Sequence, residues 1–111
     1  MPDDPRGRRV GENESLFRQV NERVEELAGN LDLPTQFVCE CGRAGCDARL
    51  SVPLEEYERV RAHGRRFILA AGHERSEVEK VIDERDGWLV VEKTGEAGEA
   101  AEQEDPRQAD G

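Results

Sequence analysis

The three cysteines of this chain lie in one short stretch, at Cys39, Cys41 and Cys46. We predict a strand over residues 37–41. Residues two apart on a strand point to the same face, so the thiols of Cys39 and Cys41 would project together. The two glycines between Cys41 and Cys46 allow a sharp turn that brings Cys46 back towards them. Converging thiolates are typical zinc ligands, so the spacing predicts a metal site.

A closed structural zinc site takes four protein ligands, and the fourth must come from elsewhere in this chain. The two histidines, His63 and His73, are the candidates. His73 follows Gly72 at a predicted strand end, where the backbone can aim the imidazole. His63 lies among arginines that disfavour a nearby cation, and it suits the end of a helix. We therefore predict that Zn²⁺ is bound by Cys39, Cys41, Cys46 and His73.

The same cysteines allow other interpretations: a Cys41–Cys46 disulfide, free core thiols, or a redox pair without metal. The first residues lack the apolar run of a signal peptide, and no stretch is long enough for a transmembrane helix. We therefore expect a cytoplasmic protein without a membrane partner. Cytoplasmic thiols stay reduced, which favours metal over a disulfide. An iron–sulfur cluster usually takes four cysteines, which this chain lacks.

Two helices are predicted to support this site, over residues 13–28 and 54–62. In the first, apolar residues recur at helical spacing and would form a stripe packed on a sheet. The stripe consists of Leu16, Val20, Val24 and Leu27. A dimerisation face is the alternative interpretation. The second helix begins after Pro53, which favours a helix start.

Five strands are predicted around the helices. They cover residues 37–41, 48–52, 66–70, 78–84 and 88–93. The first two would pair as a hairpin that carries the cysteines, and the last two are joined around Asp86-Gly87, a hairpin turn signal. A short helix over 77–82 is the alternative for the fourth. The predicted class is α+β: a small zinc-stabilised antiparallel sheet with two helices and a hairpin resembling a zinc knuckle or ribbon.

Composition divides the 111 residues into one domain and two tails. Residues 13–93 are the predicted zinc-binding domain. A core this small gives marginal stability, and small domains are commonly stabilised further by a structural metal. Residues 1–12 are predicted to be a disordered arm. Residues 94–111, rich in Glu, Ala, Gly and Gln without an apolar period, are predicted to be a disordered acidic tail. The net charge of −10 disfavours a nucleic-acid partner.

No catalytic motif is present in the sequence. The stretch that begins at His73-Glu74 starts like a metalloprotease helix but has glutamate where the second histidine is needed. Four protein ligands would also leave zinc no open position for water. We therefore expect a non-catalytic module that binds another protein. Its candidate contacts are Arg43, Arg61, Arg65 and Arg66. The alternatives are a thiol redox sensor that releases zinc on cysteine oxidation, and a nucleic-acid-binding zinc ribbon.

The cysteine spacing resembles the zinc knuckle that follows the catalytic domain of some protein methyltransferases, in which three cysteines borrow a fourth ligand. Over residues 16–93 the chain also resembles a family of small, mostly actinobacterial proteins. That resemblance rests chiefly on Phe37-Val38-Cys39-Glu40-Cys41, Gly72-His73-Glu74 and Val90-Val91-Glu92-Lys93. The chain differs from the family's pattern at Ala71, where the family often has proline, and around Gly64, near which the family often has a second proline. The resemblance implies that the family's histidine is His73, and it implies no activity.

Overall fold

A computed structural model describes residues 5–28, 35–43 and 45–107, with side chains for 13–27, 35–43 and 45–107. Over these residues the chain forms three helices and five strands, and the class is α+β as predicted. In chain order the elements are α1 (Pro5–Ala28), β1 (Thr35–Val38), β2 (Arg49–Val52), α2 (Leu54–Arg61), β3 (Arg66–Ala70), β4 (Glu79–Glu84), β5 (Trp88–Lys93) and α3 (Gly95–Gln103).

The strands form two antiparallel sheets rather than the single sheet that was predicted. The first sheet is the hairpin of β1 and β2. The second has the order β3-β5-β4, with Val91 of β5 between Phe67 and Val81. A register shift after Val81 leaves an extra residue on β4, which is a β-bulge. Bulges bend an edge strand and discourage pairing with other chains.

Several elements lie where the sequence predicts them. Both β3 and β5 have the predicted bounds, and α2 begins at the predicted residue. The turn between β4 and β5 contains Gly87 at φ +88°, a conformation that glycine adopts without steric cost. The backbone N–H of Arg85 donates to the carbonyl of Trp88 across this turn, at 2.8 Å. The predicted hairpin around Asp86-Gly87 is thus confirmed.

The first strand of the cysteine hairpin is shorter than predicted. β1 ends at Val38, so Cys39 and Cys41 lie beyond the strand. Cys39 still donates its N–H to the Ala48 carbonyl at 3.1 Å, but Glu40 donates to the Ile68 carbonyl of β3 at 2.9 Å. The chain therefore leaves the hairpin ladder to bond with the other sheet, which ends the strand.

Helix α1 buries a different face from the one predicted. Leu16, Val20 and Leu27 of the predicted stripe are 53%, 40% and 73% exposed, and its fourth member, Val24, is half-buried against the core. By contrast, Arg18 and Asn21 are fully buried. The Arg18 guanidinium donates to the carbonyls of Gly64 and Ala101, each at 2.7 Å. Buried polar groups are tolerated when they are hydrogen-bonded, and here these bonds orient the helix.

Helix α1 also begins earlier than predicted. It starts at Pro5, so it includes residues 5–12 of the segment predicted as a disordered arm. Proline is tolerated in the first turn of a helix because its missing N–H has no partner there anyway. The helix ends at Ala28, the residue at which its end was predicted. Residues 1–4 and 29–34 lie outside the described part of the chain.

The segment predicted as a disordered acidic tail contains helix α3. Ala101 on this helix is 6% exposed and belongs to the core. Asp105, just after the helix, pairs with the buried guanidinium of Arg61. The low apolar content of this segment did not predict a helix. The helix is held in place partly by buried ion pairs and by hydrogen bonds to its backbone, which apolar content does not reveal. Residues 108–111 of the predicted tail lie outside the described residues.

The core lies between the two sheets and the helices. The rings of Phe37 and Tyr57 stack at a centroid distance of 4.3 Å, which joins the hairpin to α2. Phe67, Ile68 and Leu69 of β3 are all at most 1% exposed. Among the described residues, no helix has both the length and the apolar character needed to cross a membrane.

Candidate metal centre

Three separate segments bring one histidine and three cysteines together. Cys39 and Cys41 follow β1, Cys46 precedes β2, and His73 follows β3. One ligand atom from each of the four residues lies within 4.8 Å of all the others. The cluster predicted from the sequence therefore exists as a candidate metal site.

The distances within the cluster suit one small tetrahedral cation. His73 Nδ1 lies 3.6 Å from Cys39 Sγ and 3.6 Å from Cys46 Sγ. With Zn–S of about 2.3 Å and Zn–N of about 2.0–2.1 Å, a regular tetrahedron places sulfur and nitrogen about 3.6 Å apart. The observed spacing thus matches that of two ligands on one zinc ion.

Glycines shape the loops on both sides of the cluster. Gly42 and Gly45 have φ values of +75° and +81°. This left-handed region is rarely adopted by residues that have a Cβ atom, and glycine has none. In the same loop, Cys46 donates its N–H to the Arg43 carbonyl at 3.1 Å. Gly72 has φ +89° and directly precedes His73. The predicted turns are therefore present where the ligands must converge.

The cluster has a buried half and a more exposed half. Cys39 and Cys41 are 2% and 1% exposed, whereas Cys46 and His73 are half-buried. Burial raises the pKa of the Cys39 thiol to about 12 and also raises the pKa of Cys41. Without a cation these two thiols are thus protonated at neutral pH, and metal binding displaces their protons.

The alternative interpretations of the cysteines fit this geometry less well. All three cysteines are free, so the disulfide between Cys41 and Cys46 is not formed. A two-iron cluster would need two pairs of ligands on opposite sides of an iron–sulfide core. Here the four ligand atoms converge on one point instead. A single ion suits this arrangement better than a cluster.

His63, the rejected candidate for the fourth ligand, lies elsewhere. It is exposed just beyond the end of α2, where its N–H donates to the Val60 carbonyl at 3.1 Å. It does not belong to the cluster found among the described residues. The structure therefore places His73 with the cysteines and leaves His63 at a helix end, as its surroundings in the sequence predict.

The arginines predicted to contact a partner do not form one open surface. Arg61 is 1% exposed and its guanidinium pairs with Glu22, at 3.2 Å, and with Asp105. In this structure the Arg61 side chain is used within the fold and is not exposed for contact with a partner. Arg65 and Arg66 are half-buried and pair with carboxylates of α3 and β5. Arg43 is exposed at the tip of the cysteine loop.

Two residues that were not predicted to belong to the site organise it. Glu40, between two of the cysteines, is fully buried and accepts hydrogen bonds from Asn21, Tyr57 and the Ile68 N–H. Burial raises the pKa of Glu40, and these bonds act in the opposite direction. A glutamate flanked by cysteines and an asparagine within a helix both resemble surface residues in sequence. Only their position in the fold reveals their role.

The chain was also compared with known proteins. No family model, no curated protein and no solved structure matches it. The geometry of the Cys39, Cys41, Cys46 and His73 cluster is therefore the basis for a functional proposal.

Proposed function

We propose that this protein is a small zinc-binding module in which Cys39, Cys41, Cys46 and His73 hold one Zn²⁺. The observation that carries the proposal is the convergence of four ligand atoms within 4.8 Å, with tetrahedral sulfur–nitrogen spacing. Thiolate and imidazole ligands are those that zinc prefers in structural sites. When bound, the ion cross-links the β1–β2 hairpin to the end of β3.

We further propose that the role of this site is not catalytic. Three thiolates and one imidazole fill a tetrahedral coordination sphere, so no position is left for a reactive water. The net charge of −10 argues against a nucleic-acid backbone as partner. The proposal is therefore a cytoplasmic regulatory domain that binds another protein, with the exposed Arg43 at the loop tip as a candidate contact.

The experiment that tests the ligand set compares two histidine substitutions. We expect purified wild-type protein to contain one zinc per chain. His73→Ala removes a ligand and should lower zinc retention about 10-fold or more in a competing chelator. His63→Ala is the matched control, since it removes an exposed imidazole of the same size, and it should retain zinc like the wild type. Equal loss from both variants would contradict the proposal.

A second candidate function, a thiol redox sensor, is supported by the uneven burial of the cluster. Cys46 is half-buried, while Cys39 and Cys41 are almost fully buried. An oxidant can therefore reach one sulfur first, and oxidation of a thiolate ligand weakens its hold on zinc. Release of zinc by low peroxide and its return with a thiol reductant would favour the sensor. Release only under harsh oxidation would favour the structural module.

A further inference from the structure

Residues 38–40 are held by hydrogen bonds that involve no metal. Asn21 of α1 pairs with Val38 at two points: its Nδ2 donates to the Val38 carbonyl and its Oδ1 accepts from the Val38 N–H, both at 2.8 Å. The next residue, Cys39, bonds through its N–H to the carbonyl of Ala48 at 3.1 Å. The backbone that leads into the cysteines is therefore held by bonds between protein groups alone.

Glu40 continues this set of bonds on the other side of Cys39. Its N–H donates to the Ile68 carbonyl at 2.9 Å, and its Oε1 accepts from the Ile68 N–H at 3.0 Å. Its Oε2 accepts from Asn21 Nδ2 at 2.8 Å and from the Tyr57 hydroxyl at 3.0 Å. One side chain thus joins the cysteine loop to α1, α2 and β3.

The neighbouring ligand is held to the same strand. The Ala70 N–H of β3 donates to Cys39 Sγ at 3.1 Å. Glu40 lies between Cys39 and Cys41, so fixing its backbone and side chain restricts both thiols. A fully buried carboxylate is costly unless its oxygens are well hydrogen-bonded, and here both oxygens are.

We infer that Glu40 is a positioning residue that preforms the Cys39 and Cys41 half of the metal site, so that the ion enters a protein that is already folded. This inference rests on the proposed zinc site. In zinc-finger peptides no site exists before the metal arrives, and metal binding supplies the folding free energy. Here the core and the Glu40 bonds hold the loop without the metal, and zinc adds stability to an existing fold.

The first measurement uses the metal-free wild-type protein. After removal of metal by a chelator, we expect a cooperative thermal transition at a lower midpoint than that of the zinc form. We also expect the N–H groups of Glu40 and Ile68 to remain protected from hydrogen exchange, because their bonds do not depend on the ion. A metal-free protein without cooperative melting, or with both groups exchanging freely, would overturn the inference.

The second measurement is Co²⁺ binding to Glu40→Gln, followed by the absorption of tetrahedral thiolate-bound cobalt. Glutamine has one acceptor oxygen, whereas the buried carboxylate accepts bonds from three separate donors. We expect Co²⁺ affinity to fall about 10- to 100-fold, the usual effect of removing a group that orients ligands. Affinity equal to that of the wild type would overturn the inference.

Two further variants separate positioning from general stability. Val91→Ala opens a cavity at a fully buried residue of β5 and keeps every bond of the Glu40 set, so it should melt earlier but bind Co²⁺ like the wild type. Tyr57→Phe keeps the ring stacked on Phe37 and removes one bond to Glu40, so it tests the inference if Glu40→Gln does not fold. We expect a few-fold loss of Co²⁺ affinity from Tyr57→Phe. An equal loss from Val91→Ala and Tyr57→Phe would overturn the inference.

Failure of the inference and failure of the zinc site give different results. If wild-type protein binds neither Zn²⁺ nor Co²⁺, the proposed function fails and the inference falls with it. If the wild type binds one ion per chain while Glu40→Gln binds equally well, only the positioning role fails.

Discussion

At the residue scale, a buried group of charges between α1 and the second sheet links stability to pH. Lys93 pairs with Glu79, at 2.5 Å, and with Glu14, and all three side chains are at most 9% exposed. Two carboxylates thus share one ammonium group. Burial raises the pKa of Glu14 from 4.5 to about 7, although Lys93 acts in the opposite direction.

Because of the raised pKa, the contribution of Glu14 to stability decreases as the pH rises. The folded protein binds the Glu14 proton more tightly than the unfolded chain does, so this contribution is fully present below pH 4.5 and is lost as pH rises through about 7. Glu14→Gln removes this titration. Relative to the wild type, the variant should therefore gain free energy of unfolding between pH 5 and pH 8, as measured by denaturant unfolding at each pH. A difference that stays constant with pH would refute this assignment.

Single residues also show what the sequence could and could not predict about the site. The cysteines and His73 have few alternative uses, and their spacing with glycines predicted the cluster directly. Glu40 and Asn21 have polar side chains that are most often solvated. Their burial depends on donors and acceptors from distant segments, such as Ile68, and no local pattern encodes these partners.

At the scale of elements, α1 shows that hydrophobic periodicity can predict a helix correctly and still predict the wrong buried face. The apolar stripe predicted the helix, but the fold buries Arg18 and Asn21 instead. The free energy that decides this orientation comes from satisfied hydrogen bonds with carbonyls of other segments, including those of Gly64 and Ala101. Those partners are far away in the sequence.

A pair of substitutions tests which face of α1 is buried. Leu16 is 53% exposed, so Leu16→Lys should change the free energy of unfolding by no more than about 0.5 kcal/mol. Arg18→Leu leaves two carbonyls without their donor and should cost at least about 2 kcal/mol. Denaturant unfolding of both variants measures the contrast. The reverse order would mean that the apolar stripe faces the core.

Helix α3 and the residues after it are expected to be essential for stability. The carbonyl of Ala101 accepts from Arg18, Asp105 pairs with Arg61, and Arg107 pairs with Glu22 of α1 at 2.8 Å. Deleting residues 95–111 leaves buried guanidinium groups without these partners. We expect a loss of at least about 3 kcal/mol in the free energy of unfolding.

The matched control for this deletion is removal of residues 108–111, which keeps every contact named above. It should unfold at the same denaturant concentration as the full chain. If the longer deletion were equally harmless, residues 95–107 would be dispensable for the fold, and α3 would not be part of it.

At the scale of the whole molecule, two small sheets share one core, and the cysteine loop bridges them. Composition and hydrophobic periodicity predicted the class, the cysteine hairpin and the strands β3 and β5. They did not predict the second sheet or α3, because both depend on contacts between distant segments. The bonds of Glu40 to Asn21, Tyr57 and Ile68 are contacts of this kind.

If the proposed zinc ion is bound, this bridging position defines its effect on the molecule. Cys39, Cys41 and Cys46 belong to the hairpin side, whereas His73 follows a strand of the other sheet. An ion held by all four residues would join the two sheets directly. Such an ion would therefore couple the geometry of the cysteine loop, including the exposed Arg43, to the rest of the domain.

The central claim is that one zinc ion is bound by three sulfurs and one imidazole nitrogen. X-ray absorption at the zinc edge, measured on the purified full-length protein with one zinc per chain, tests it most directly. We predict three Zn–S distances of about 2.3 Å and one Zn–N distance of about 2.0–2.1 Å. In His73→Ala the imidazole signal should disappear, and in His63→Ala it should remain. A zinc ion with fewer than three sulfur ligands, or an imidazole signal that survives His73→Ala, would contradict the account.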